Sequence, residues 1–250
     1  MPAPIARSSG LLIRGITLAY LGIRVALPML ALTIQAAEPG AAKFWEALTD
    51  PDAWHALKLT FATATAMVVV NAVAGTATAW ALVRYSFPGK GLVNALIDLP
   101  FAVPTIVSGL MLVVLFGPSS TLGVILGHFS WGVIYHRPAI VLALLFVTYP
   151  FVIRGVQPIL LEIDGAEEEA AATLGAGPWT IFRRVTLPTL APSVLTGCAL
   201  SFSRALGEFG SMVLLAGNRP LETKTAPLYI FGEIEGEGTP TRPWSSRPCC

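Results

Sequence analysis

The sequence predicts an all-α protein, a polytopic transmembrane helical bundle of about five spans within one membrane domain, residues 1–235. Three observations carry this. Of the 250 residues, 54% are hydrophobic and only 12% charged, with a mean hydropathy of +0.68. The apolar residues fall in continuous runs, several of which reach the roughly 20 residues that cross about 30 Å of hydrocarbon as a helix. The runs do not alternate, which argues against the dyad pattern of a transmembrane β-barrel. A formal net charge of +1 supplies no basic footprint for nucleic acid.

Taken in order, residues 1–10 are a short polar lead, and 11–37 form the first span, with Arg14 near its start and Arg24 inside it. The apolar stretch is too long for a cleaved signal peptide and lacks a small-x-small site before Glu38. Arg24 either faces a water-filled interior, snorkels, or pairs within the bundle. Residues 38–56 are a polar loop carrying Trp45 and Trp54, residues suited to a membrane interface. The second span, 57–83, is rich in small residues around Gly75 and is expected in the bundle interior.

After a turn at 84–91, the third span is expected at 92–117, kinked by Pro100 and Pro104. Its Asp98 is read as a first-turn carboxylate that stabilises its own helix, on the side of Arg84 and Lys90. Residues 118–138 are a loop whose apolar piece, 122–126, is too short to cross. The fourth span, 139–161, is broken by Pro150 and Pro158, with Arg154 near its C-terminal end. The fifth, 189–215, holds Arg204 and Glu208 four residues apart, flanked by Gly207 and Gly210. Charges in a membrane helix are costly unless paired or wetted, and at this spacing they share a face. The two glycines point to a thin or unwound stretch that would open backbone amides to an anion. Residues 217–235 are expected as a polar loop, and 236–250 as an irregular, aberrant tail.

Between the fourth and fifth spans lies the polar stretch 164–188, DGAEEEAAATLGAGPWTIFRRVTLP. Asp164 can cap a helix, with Glu167 completing a capping-box-like pair, and acidic residues suit the first turn. Gly175 is placed to end that helix in a left-handed cap. Gly177-Pro178 starts a second short helix, which Pro188 stops. The outcome is a helix-turn-helix at the membrane surface with a charged flank and a small-residue face, which is a docking surface.

Cys198 reads as a small packing residue, and Cys249 and Cys250 lack any metal-ligand spacing. No pattern links His55, His128 and His136, so no metal site is expected. No GxSxG, HExxH or CxxC motif suggests catalysis, and no GxxxxGK[ST] motif suggests that this chain holds ATP.

The spacing Glu169-Ala170-Ala171, three residues, Gly175, nine residues, Val185, one residue, Leu187-Pro188 resembles the EAA signature of ABC-importer permeases. The one departure is Val for the usual Ile. LIDLPFAVPTIVSGL resembles the third helix of the sulfate permeases, and SFSRALGEFGSMVLLAGN resembles the most recognisable run of sulfate- and molybdate-type permeases. Over 57–235 the chain is similar to the sulfate/thiosulfate ABC-importer permeases of the CysT class.

That resemblance implies a permease importing sulfate or thiosulfate across the bacterial cytoplasmic (inner) membrane, multi-pass with its N-terminus inside. Glu168, Glu169, Ala170, Ala171, Gly175, Leu187 and Pro188 would form the coupling surface for an ATPase. Arg204, Gly207, Glu208 and Gly210 would line the translocation path and gate, with Asp98, Pro100 and Pro104 structural. ATP and Mg²⁺ would sit on the partner. The implied partners are a homologous second permease subunit, two ATP-binding subunits, a periplasmic or lipid-anchored sulfate-binding protein, and membrane lipid. Lys and Arg on alternate sides support this orientation: Arg7, Arg14, Arg84, Lys90, Arg154, Arg183 and Arg184 inside against Lys43, Lys58, Arg137, Arg219 and Lys224 outside. Such families end in a sixth span, so a truncated or frameshifted reading is expected to account for the tail. The alternatives are a molybdate/tungstate permease and a truncated, non-functional membrane protein.

Overall fold

A computed structural model describes residues 7–37, 40–128, 134–163 and 165–235. Among the described residues the chain is helices and turns, with no strand. It divides into two compact units, residues 1–53 and 54–250.

The first unit holds α1 (Arg7–Ala37) and α2 (Ala41–Thr49), with Gly40 between them at a φ of +90°, a left-handed value suited to glycine. Described side chains of α1 are exposed throughout, as an apolar candidate span surrounded by lipid would be. Arg24 lies over the Tyr20 ring, 5.2 Å from its centroid, so the cation has an aromatic neighbour one turn away. The Asp50 carboxylate accepts the Asp52 N–H at 2.9 Å, capping α3 (Pro51–Arg84) with proline at its first position.

The second unit is built on α3, α7 (Arg137–Glu162) and α10 (Leu187–Leu206). Small residues let them meet closely. A Cβ on Gly197 would lie 2.8 Å from the Cα of Val152, and one on Gly75 would lie 3.0 Å from its Cβ. A buried polar network ties the same three helices. Asn71 donates to the Thr148 hydroxyl at 2.9 Å, Thr148 donates to the Leu144 carbonyl, and Ser201 donates to the Thr148 carbonyl. Away from water, such bonds have few competing partners.

Several elements differ from the sequence expectation. The stretch 92–117 is two helices, α4 (Lys90–Ala102) and α5 (Thr105–Phe116), because Val103 is extended before Pro104 and ends the first. The piece expected as loop forms α6 (Thr121–His128), bent 59° from α5, and the pair together is apolar enough to make a broken span or a re-entrant loop. With four long apolar helices, the described residues supply four to five spans. Helix α7 is not broken: it runs through Pro150, which is buried, and through Pro158, which is exposed. Pro188 does not stop a helix either. It sits in the first turn of α10, where it needs no N–H, and a π-helical turn (Phe182–Thr186) precedes it. Residues 217–235 are not all loop. They include α12 (Ala226–Ile234), which opens on Pro227 in its first turn and buries Leu228 and Gly232.

Candidate functional site

The polar stretch folds as α8 (Gly165–Thr173), α9 (Pro178–Ile181) and the π turn that leads into α10. Asp164, read from the sequence as the N-cap, lies outside the described residues. At the other end of α8 the Gly175 N–H reaches the Ala172 carbonyl at 2.9 Å, and the Ala176 N–H reaches that of Ala171 at 3.1 Å. These two bonds form a Schellman cap, and Gly175 takes the φ of +84° that this cap demands. Gly177 is extended and Pro178 follows at the start of α9.

This elbow buries almost nothing of itself. Glu169, Ala170, Gly175, Leu187 and Pro188 are exposed and Ala171 is half-buried. Leu174 and Trp179 are 88% and 71% exposed, large apolar groups on an otherwise charged flank with exposed Arg183 and Arg184. A groove of about 320 Å³ opens beside it, lined by Ile159, Glu162, Ile163, Glu167 and Thr189. Glu168 departs from its neighbours, since its carboxylate is held at home by Arg84 at 2.6 Å and by the Thr186 hydroxyl at 2.9 Å.

The second candidate region lies where α10 stops. Gly207 caps α10, and α11 (Gly210–Leu215) begins after a break of three residues. Glu208 sits in the break, 2% exposed. Its Oε2 pairs with Arg204 at 2.8 Å, and its Oε1 accepts both the Ser211 N–H and the Ser211 hydroxyl at 2.9 Å each. The carboxylate thereby joins the end of one helix to the start of the next. Gly210 permits α11 to press on α5: a Cβ there would lie 2.9 Å from the Ile106 nitrogen. The cavity beside Glu208 is about 10 Å³, lined by Thr60, Thr63, Thr225 and apolar neighbours. That is room for about one water.

Asp98 requires a correction. It is the ninth residue of α4, not a first-turn carboxylate, and its partner is neither Arg84 nor Lys90. Both its oxygens accept from Arg154 at 2.7 Å. Arg154 also donates to the Asn94 side chain and carbonyl, at 3.1 Å each, and to Gln157. Its five N–H donors are all used. Pro100 is buried within α4, and Pro104 stands at the start of α5. Sequence reasoning gave Arg84 and Arg154 only to membrane topology and did not find Thr186 or Asn94. The signal available for Arg154 was a cation inside an apolar run, which implies a partner. Among the described residues, no cluster of His, Cys, Asp and Glu could hold a metal ion.

An α-helical bundle with four to five apolar candidate spans, and an exposed elbow between two of its long helices, has the make-up of a multi-pass membrane protein. Residues 71–232 match the family described as binding-protein-dependent transport system inner membrane component, and the chain belongs to that family. It is 43% identical over 220 residues to the sulfate transport system permease protein CysT of Synechocystis sp., covering 88% of this chain and 77% of that protein. It is 42% identical over 221 residues to the protein of that name from Escherichia coli strain K12, covering 88% and 80%. Its relatives are transport-system components, not enzymes. The fold is shared with a bacterial ABC transporter involved in import of the acidic polysaccharide alginate, at a TM-score of 0.70 and 20% identity over 93% of this chain and 87% of that one. The alginate ABC transporter in complex with a pentasaccharide-bound periplasmic protein gives 0.72 at 18% identity, over 92% and 85%.

Proposed function

We propose that this chain is the membrane-spanning permease subunit of an ATP-driven importer of sulfate or thiosulfate. The observation that carries the substrate is its identity of 42–43% to sulfate transport permeases over 88% of its length. Geometry supports the coupling role. An elbow that leaves Leu174 and Trp179 in the open, on a segment that buries nearly none of its own residues, is built to be covered by another protein. ATP and Mg²⁺ belong to a separate ATPase subunit, which pushes the elbow. A homologous second permease subunit completes the path, and a periplasmic or lipid-anchored binding protein selects the anion. This places the elbow and the N-terminus in the cytosol. Alternating access then follows as a rigid movement of spans biased by nucleotide state.

Complementation of a strain deficient in sulfate uptake tests the substrate, with molybdate as competitor. Uptake restored and insensitive to molybdate supports sulfate; uptake of molybdate alone overturns it. Gly175→Trp tests the coupling surface. Its φ of +84° and its exposure make a bulky side chain both strained and obstructive. ATP hydrolysis should continue while uptake is lost, and wild-type uptake in that variant refutes the docking role.

A further inference from the structure

Helix α8 has no buried residue, so apolar packing does little to attach it to the spans it is meant to move. Among the described side chains, the carboxylate of Glu168 links it to both spans. Glu168 Oε1 accepts from Arg84, the last residue of α3, and from Thr186, the last residue of the π turn that opens α10. Both donors are themselves braced. The Arg84 guanidinium lies 5.1 Å from the Trp80 ring centroid. Trp80 meets Phe182 edge-on at 5.4 Å, and Phe182 stacks on Trp179 at 5.5 Å. Thr186 is fully buried, so its hydroxyl has no water to turn to. Glu167 and Glu169, on either side, are exposed.

We infer that Glu168 is a positioning residue that clamps α8 to the ends of α3 and α10, so that a push on the elbow moves both spans as one body. The inference rests on the reading of 165–188 as the ATPase-coupling segment, and it assigns Glu168 inward to the permease where its neighbours face the partner. An ion pair and a hydrogen bond on one oxygen fix the helix in direction as well as distance, as a rigid linkage requires.

The test uses the whole transporter in proteoliposomes, with radiolabelled sulfate uptake and ATP hydrolysis followed in parallel. Arg84→Ala, which removes one charge-assisted bond, should lower sulfate moved per ATP hydrolysed by about tenfold, and Glu168→Ala, which removes that bond and the one from Thr186, by at least as much, with ATPase subunits co-purifying as for wild type. Glu168→Gln keeps the size and the acceptor for Thr186 but loses the charge, and should fall between. The charge exchange Arg84→Glu with Glu168→Arg should recover coupling that neither single change allows. Single variants that couple like wild type overturn the clamp. So do loss of ATPase co-purification in Glu168→Gln, which would put this carboxylate on the partner, and an exchange no better than the singles. A wild-type complex that hydrolyses ATP without moving sulfate overturns the transporter reading itself, and the clamp falls with it.

Discussion

Glu208 and Arg204 form one ion pair with two different surroundings. The Glu208 side chain is 1% exposed and the Arg204 side chain 35%. Removing Arg204 therefore leaves a carboxylate enclosed in the interior without its cation, whereas neutralising Glu208 leaves a guanidinium that the protein only partly encloses. Arg204→Ala should cost toward the roughly 3–5 kcal/mol of a broken buried pair. Glu208→Gln should cost about 1 kcal/mol, since the amide oxygen still accepts from Ser211. Thermal unfolding of the two variants in detergent checks the ordering, and equal losses would mean that the site is wetter than its burial says. This pair was legible in the sequence from its spacing of four, which the last turn of α10 still brings together although Glu208 itself lies in the break beyond it. Asp98 with Arg154 and Glu168 with Arg84 were not, since partners 56 and 84 residues apart leave no periodic mark.

At the scale of elements, glycine decides how closely helices approach. A Cβ at Gly197 would sit 2.8 Å from backbone of α7, which cannot rotate aside as a side chain could. Gly197→Ala should destabilise by about 1–3 kcal/mol, the usual range for overpacking. Gly165, at the start of α8, has open space around its Cβ position, and Gly165→Ala should be neutral or slightly stabilising by helix propensity. Denaturant titration of both variants checks the contrast. The long apolar helices and the Gly175 turn were readable because hydrophobic length and cap chemistry are local. Boundaries near proline were not, because the same residue can end a helix, open one or sit inside one. Pro104 opens α5 after an extended Val103, Pro188 opens α10, and Pro150 lies mid-helix in α7. Packing chooses among these. Helix α12 was hidden for a related reason: its nine residues are too few for a period to show.

Across the whole molecule, four arginines among the described residues meet carboxylates: Arg219 with Glu222 within one loop, and, between or at the ends of helices, Arg84 with Glu168, Arg154 with Asp98, and Arg204 with Glu208. Only differences among them can say which one meets an anion. Arg154 spends all five donors on Asp98, Asn94 and Gln157, so a passing sulfate would have to displace an assembled network. Arg84 belongs to the elbow, with its charge directed at Glu168. Arg204 meets one acceptor among the described residues, keeps about a third of its side chain open, and stands beside the break in which α10 gives way to α11. On the proposed function, Arg154 is expected to act as a lock and Arg204 as a guide for the anion. Arg154→Lys should lose most of the fork geometry that joins α4 to α7 and lower thermal stability, with little change in the sulfate concentration that half-saturates uptake. Arg204→Lys keeps the charge and alters only the donor array, so it should leave the fold intact and raise that concentration by about threefold to tenfold. Uptake measured over a range of binding-protein-delivered sulfate, beside melting curves of the same preparations, decides between them. The reverse pattern, with Arg154→Lys raising half-saturation and Arg204→Lys lowering stability, would overturn the proposed path at the α10–α11 break and favour the α4–α7 seam.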